Sequence, residues 1–259
     1  MPKLGLTASL GSSGLTTPGI VADNLVMKHM YPAGAVQPLS DGAVYLDGND
    51  YIELGTTGLN PNSITISVWV NHGGSNQSDG YARIIDGDGD SMSWHLRFDN
   101  SGNRFVSRFS DDGTNLELCQ SDSTYTDFSK WYHVATTYDA SSLSNNCKMY
   151  VDGVHDGTDN LTGAGNLNVP STPGVRIGQE PDSTDNNFKG YICNVGVWGR
   201  VLTHSEIKSI MWKQYADLST SEKTSLVSWW NLDTETNTSG ESGTGGVKDH
   251  HGSNHGTLS

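Results

Sequence analysis

A chain of 259 residues with 31 glycines and 34% hydrophobic residues is long enough to bury a sizeable core, yet its composition describes many short elements joined by polar turns. Its 29 acids against 15 bases give a formal charge of −14. Such a surface repels phosphate backbones, and with no Lys/Arg cluster along the sequence nucleic acid is excluded as a partner. No apolar stretch is long enough for membrane insertion and no signal-peptide run opens the sequence, so no export signal is expected.

Residues 1–40 are rich in Gly, Ser, Thr and Pro, with Pro18, Pro32 and Pro38 breaking ladders and helices alike. They read as an extended arm whose apolar patch from Val21 to Met30 would dock on a neighbouring subunit. From Asp41 the period changes to two. AVYLDGNDYIELG predicts a strand, a tight turn at Asp47 and Gly48, and a second strand. SITISVWVNH alternates Ile64, Ile66, Val68 and Val70 against polar neighbours and predicts a half-buried strand. Similar alternation recurs in ARIIDG, SWHLRFD, NRFVSRFS, LELCQS, WYHVATTYD, KMYVDGVH, GVRIGQ and YICNVGVWG.

Two short helices near the C-terminus are announced by capping boxes, Thr203 to Glu206 and Ser219 to Glu222. A return strand, LVSWWNLD (226–233), and a glycine-rich polar tail follow. The fold class is therefore all-β, a two-layer antiparallel sandwich over residues 41–259. Cys119, Cys147 and Cys193 each fall in an apparent strand at scattered spacing, which reads as three buried thiols rather than a bridge or a zinc site.

The stretch GQEPDSTDNN sets Glu180, Asp182 and Asp185 close to the ExDxxE pattern of bacterial laminarinase-type glycosidases. Pro181 cannot donate to a central ladder, so the acids lie in a loop and not on a catalytic strand. No GxSxG, HExxH or phosphate-cradling motif is present, and no enzyme activity is expected. His133 reads as a satisfied strand histidine and Cys193 as inert. Asp86, Asp88 and Asp90 of DGDGD, and separately Asp182 and Asp185, are the candidate metal ligands. The alternatives at DGDGD are a calcium site and a glycine-rich hairpin turn. Holding a sugar needs a partly exposed aromatic with polar neighbours, and Tyr81, Phe188, Tyr125 and His72, all near turns, are the candidates.

YLDGNDYIEL, ITISVWVN, WYHVATTYD, KMYVDGV, RIGQ and FKGYICNVGVWGRVLTHSEI, in that order over residues 41–213, resemble the laminin G-like domains of the concanavalin A-like lectin/glucanase superfamily. The resemblance implies a jelly roll in which Trp69, Trp131 and Trp198 are scaffold aromatics, DHHGSNHG is a turn rather than a zinc tract, and the last strand returns beside the first. The arm and the missing export signal also resemble laminin G-like virion proteins of marine tailed bacteriophages. That second resemblance implies a non-enzymatic structural or decorating protein of the virion. Its partners would be other virion proteins or its own copies, reached through the arm, with weak binding to cell-surface glycans. The alternatives are a dedicated lectin or receptor-binding module, and then a glycan hydrolase.

Overall fold

The alternation becomes two packed antiparallel sheets in a computed structural model that describes residues 37–73, 80–87, 93–110, 117–142, 144–159, 166–167, 174–181, 186–233 and 246–259. Among these residues the first sheet has seven strands. In spatial order they are β1 (Val44–Asp47), β12 (Lys189–Trp198), β3 (Ile64–His72), β8 (Tyr132–Tyr138), β9 (Cys147–Val151) and β10 (Val154–Asp159), and β13 (Leu226–Trp230) also pairs with β12. The second sheet has eight: β14 (Gly246–Val247), β15 (Gly256–Leu258), β2 (Ile52–Leu54), β11 (Val175–Ile177), β4 (Tyr81–Asp86), β5 (Trp94–Asp99), β6 (Arg104–Phe109) and β7 (Glu117–Gln120). Gln37–Ser259 form one compact unit; the expected arm lies outside the described residues up to position 36.

One core fills the space between the sheets. Ile64, Ile66, Val68 and Val70 of β3, with Val134 and Tyr138 of β8, pack against Trp94, Leu96 and Phe98 of β5 and Phe105 and Phe109 of β6. All are buried, as a period of two demands of strands that keep one face in.

The Asp47–Gly48 turn does not close a hairpin. β1 pairs with β12 in the first sheet, whereas β2 pairs with β11 and β15 in the second, so the turn carries the chain across the sandwich. The crossing lets Val44 and Leu46 enter the core from one side and Ile52 and Leu54 from the other. The C-terminus closes the same region: β13 lies on β12 next to β1, and β15 pairs with β2.

The DHHGSNHG segment is a turn built on Asp249, whose carboxylate accepts from the backbone amides of Trp229, His251, Gly252 and Asn254. Four amides on one buried carboxylate account for the motif without a metal.

Among the described residues one α-helix, α1 (His204–Ile210), carries the expected box: Thr203 accepts from the Glu206 amide, and Glu206 reaches back to the cap amide. The second box also forms, with Glu222 accepting from the Ser219 amide at 2.8 Å, but a run of turns follows it instead of a helix. Ser225 at φ 56° reverses the chain too soon, and β13 begins at Leu226. Helix α1 covers the outer face of the first sheet, where Ile207 and Ile210 pack on Ala135, Tyr150, Trp198 and Trp229. Trp69 and Trp198 are buried scaffold residues whose indoles donate to the carbonyls of Met211 and Glu222. Trp131 is only half-buried and sits beside Tyr191.

The expectation of three free thiols is corrected. Cys119 of β7 and Cys147 of β9 form a disulfide that joins the two sheets, and Cys193 alone is a free buried thiol, pushed up to about 12 by burial. The spacing of 28 residues says nothing of this bond, because the edge of one sheet must first fold over the other.

Closing a 28-residue loop constrains the unfolded chain by about 3 to 4 kcal/mol in the chain-entropy model. Replacing Cys119 and Cys147 by Ser is expected to lower the urea midpoint by that equivalent and to make it insensitive to reductant. An unchanged midpoint in the double variant would count against the bond.

Candidate functional site

While α1 covers one outer face, the outer face of the second sheet carries charge. On β5, turning Trp94, Leu96 and Phe98 inward leaves His95, Arg97 and Asp99 outward; on β6 the outward residues are Arg104, Val106 and Arg108. Strand pairing aligns these positions. Glu53 of β2, Arg176 of β11, Asp86 of β4, His95 of β5 and Arg108 of β6 are successive cross-strand partners, and Arg83 of β4 lies opposite Arg97. Five of the chain's six arginines thus gather on one face of a protein whose net charge is −14.

Most of these charges are neutralised in place. Arg83 Nε lies 2.9 Å from Asp86 Oδ2, and the same guanidinium pairs with Glu180. Arg83 Nη1 donates to His95 Nε2 at 2.7 Å, which places the His95 proton on Nδ1. His95 is fully buried and stays neutral: burial first, then Arg83, Arg97 and Arg108, hold its pKa well below 6.5. Arg176 pairs with Glu53 at 2.6 Å and donates to Gln179. Glu180 also accepts from Asn186, and Asp99 accepts from the Ser101 and Gly102 amides.

Arg97 differs. It is 3% exposed, and its guanidinium carbon sits 3.9 Å from the ring centroid of Tyr81, which is 41% exposed. A cation under an aromatic face is a favourable and rigid support. The result is an exposed ring held on a fixed guanidinium.

The structure separates the aromatic candidates. Tyr81 is on the surface, at the start of β4. Phe188 is fully buried in the core and presents no face to a ligand. His72 is also fully buried, 4.0 Å from the Phe98 ring and 4.7 Å from Phe128, and burial lowers its pKa to about 4. Tyr125 is partly buried on Phe105 and Tyr132, with its hydroxyl donating to Asp156, so its ring edges the core. These side chains follow turns in the sequence, but the strand period turns His72 inward and the start of β12 draws Phe188 under it.

Among the metal candidates Asp86 does not fit a calcium ligand, since it is buried and neutralised by Arg83. Asp88, Asp90, Asp182 and Asp185 lie outside the described residues. Among the described residues no three His, Cys, Asp or Glu side chains cluster to hold a metal ion.

Sequence reasoning missed two features. One is the arginine face, which exists only through pairing. The other is a row on the first sheet, where Tyr45 and Tyr191 are paired, 47% and 45% exposed, with rings 4.8 Å apart and Trp131 alongside. The alternation of β1 and β12 could have found the tyrosines, since both fall at outward positions.

Residues 46–208 match the model of a laminin G family described as concanavalin A-like lectin/glucanases superfamily. No curated protein matches the sequence. Among solved structures, the chain is similar to a Bacteroides ovatus protein provisionally described as carbohydrate-binding. The match has 21% identity and a TM-score of 0.61, over 83% of this chain and 57% of that one, so less than two thirds of that protein is spanned. It is also similar to the CBM40 module of the Ruminococcus gnavus IT-sialidase, solved with α2,3-sialyllactose, at 15% identity and a TM-score of 0.53, over 66% of this chain and 96% of that module.

The buried histidines make the fold sensitive to acid. Burial holds His72 at about 4 and His133 at about 3, and His95 well below 6.5. Below pH 6.5 the unfolded chain takes up protons that the fold refuses. The stability these groups contribute is therefore complete above 6.5 and is lost as pH falls from there through about 4 and about 3, by roughly 1.4 kcal/mol per pH unit for each histidine. The melting temperature is expected to drop steadily from pH 6.5 to 5, and a flat profile over that window would contradict the assignment.

Proposed function

The chain belongs to the laminin G-like branch of the concanavalin A-like lectin/glucanases superfamily, and on that premise we propose that it is a non-catalytic carbohydrate-binding module. The observation that carries the reading is Tyr81, an exposed ring held on Arg97 at the edge of a fixed polar network. A pyranose packs its C–H face on such a ring while its hydroxyls use the neighbouring polar groups. The carbohydrate-binding description of the Bacteroides ovatus protein and the sialyllactose bound to the CBM40 module support the same reading.

Binding rather than cutting is favoured because the described carboxylates on this face are engaged. Retaining and inverting hydrolysis both need one carboxyl kept protonated and a second free to act. Here Glu53, Asp86 and Glu180 are tied to arginines, and Asp99 caps a turn. The comparisons lend no support to the virion structural role that the second sequence resemblance put first; they support its alternative, a dedicated carbohydrate-binding module.

A panel of oligosaccharides titrated with the purified protein tests this. Binding is expected in calcium and in chelator alike, because Asp86 is committed to Arg83. Tyr81→Ala is expected to weaken it roughly tenfold or more, and Tyr191→Ala to leave it unchanged. The reverse pattern would move the site to the first sheet. Reducing ends released from any bound oligosaccharide would overturn the non-catalytic assignment.

A further inference from the structure

Tracing the arginines of this face one by one leaves two without an acceptor. Arg83 has Asp86 and Glu180, Arg176 has Glu53 and Gln179, and Arg104 donates to the Ser121 carbonyl. Neither Arg97 nor Arg108 has a hydrogen bond to a carboxylate or carbonyl among the described residues, and the Nε of each is buried without a partner. A guanidinium carries five donors, and leaving them unmatched away from water is costly.

The placement adds to that cost. Arg97 lies directly opposite Arg83, and like charges at paired strand positions repel. Arg108 lies on the neighbouring strand beside His95, which is buried and neutral and so offers no compensating charge. Burial, then Arg108 and Arg83, pull the Arg97 pKa down to about 10, a net fall that Asp99 and Tyr81 oppose without reversing. The nearby Asp99 carboxylate acts on Arg97 only at a distance, since it accepts from the Ser101 and Gly102 amides and makes no hydrogen bond to the guanidinium. Arg97, buried, and Arg108, half-buried on the neighbouring strand, together offer guanidinium donors suited to a planar or tetrahedral anion.

Resting on the reading of this face as a sugar site, we infer that the saccharide it takes is anionic. Its carboxylate or sulfate group is received by Arg97 and Arg108, and the uncharged face of its ring packs on Tyr81. The neighbouring Arg83 stays with Asp86 and Glu180 and positions Arg97 by repulsion and packing rather than touching the ligand.

The test is calorimetric titration of matched pairs. Neutral oligosaccharides are compared with their sialylated, uronic acid-containing and sulfated counterparts, at low and at high salt. The acidic member of at least one pair is expected to bind roughly tenfold or more tighter, as charge-assisted hydrogen bonds imply, and to lose that advantage as salt rises. Preference among the sialylated and uronic pairs identifies a carboxylate ligand; preference confined to the sulfated pair identifies a sulfate.

Arg108→Gln, at a half-buried position, is expected to lower the affinity for the acidic member to about that of its neutral counterpart. Arg97→Met is the second variant, with its melting temperature measured alongside so that a folding defect is recognised. Equal binding of acidic and neutral members, unaffected by Arg108→Gln, would overturn the inference and leave the glycan-binding reading standing. Absence of binding across the whole panel would remove both.

Discussion

Burial of two alternating inner faces against one another is the constraint on which both outer faces depend. Sheets stack about 10 Å apart with side chains interdigitating between them. Here Val68 and Val70 of β3 and Val134 of β8 meet Leu96 and Phe98 of β5 and Phe105 of β6. A slip of one residue on β5 would put Arg97 and His95 into that core and expose Trp94, Leu96 and Phe98, so the register has no near alternative. Among the covalent links between the two sheets are a turn and a disulfide. The Asp47–Gly48 turn joins β1 to β2, and the Cys119–Cys147 bond joins β7 to β9.

With the inner faces fixed, the two outer faces diverge in character. That of the first sheet is largely covered, since α1, Trp198 and Trp229 fill it and Trp69 anchors to the carbonyl of Met211. That of the second sheet is laid out as an electrostatic array. Its ion pairs join Glu53 to Arg176 across neighbouring strands and Asp86 to Arg83 within β4. An array of this kind can orient a ligand through preset donors, and its described carboxylates are engaged by arginines or turn amides. Preset donors also cost little to organise at the moment of binding.

Much of the fold was legible locally. The inward set of β3, the capping box of α1 and the loop character of Glu180 and Pro181 all follow from period, cap chemistry and the missing proline donor. The site was legible only in part. Tyr81 could be picked out as an aromatic next to a turn, but the same rule also selected His72 and Phe188, which the strand period and the core then buried. The second capping box formed as expected and still did not start a helix, because Ser225 and β13 lie too close behind it. A local signal sets a local hydrogen bond; what the chain does a few residues later is set by the sheet it must rejoin.

The amino-acid sequence by itself determined which residues of each strand face inward, because alternation is a property of neighbours along the chain. Only the tertiary structure decided which strands lie side by side. That choice sent β1 and β2 to different sheets, brought Cys119 to Cys147 across 28 positions, and assembled arginines from β4, β5, β6 and β11 into one face of a strongly acidic protein. No run of basic residues announces that face. Each arginine stands alone in its own strand, and the charge gathers only when hydrogen-bonded pairing sets those strands about 4.8 Å apart.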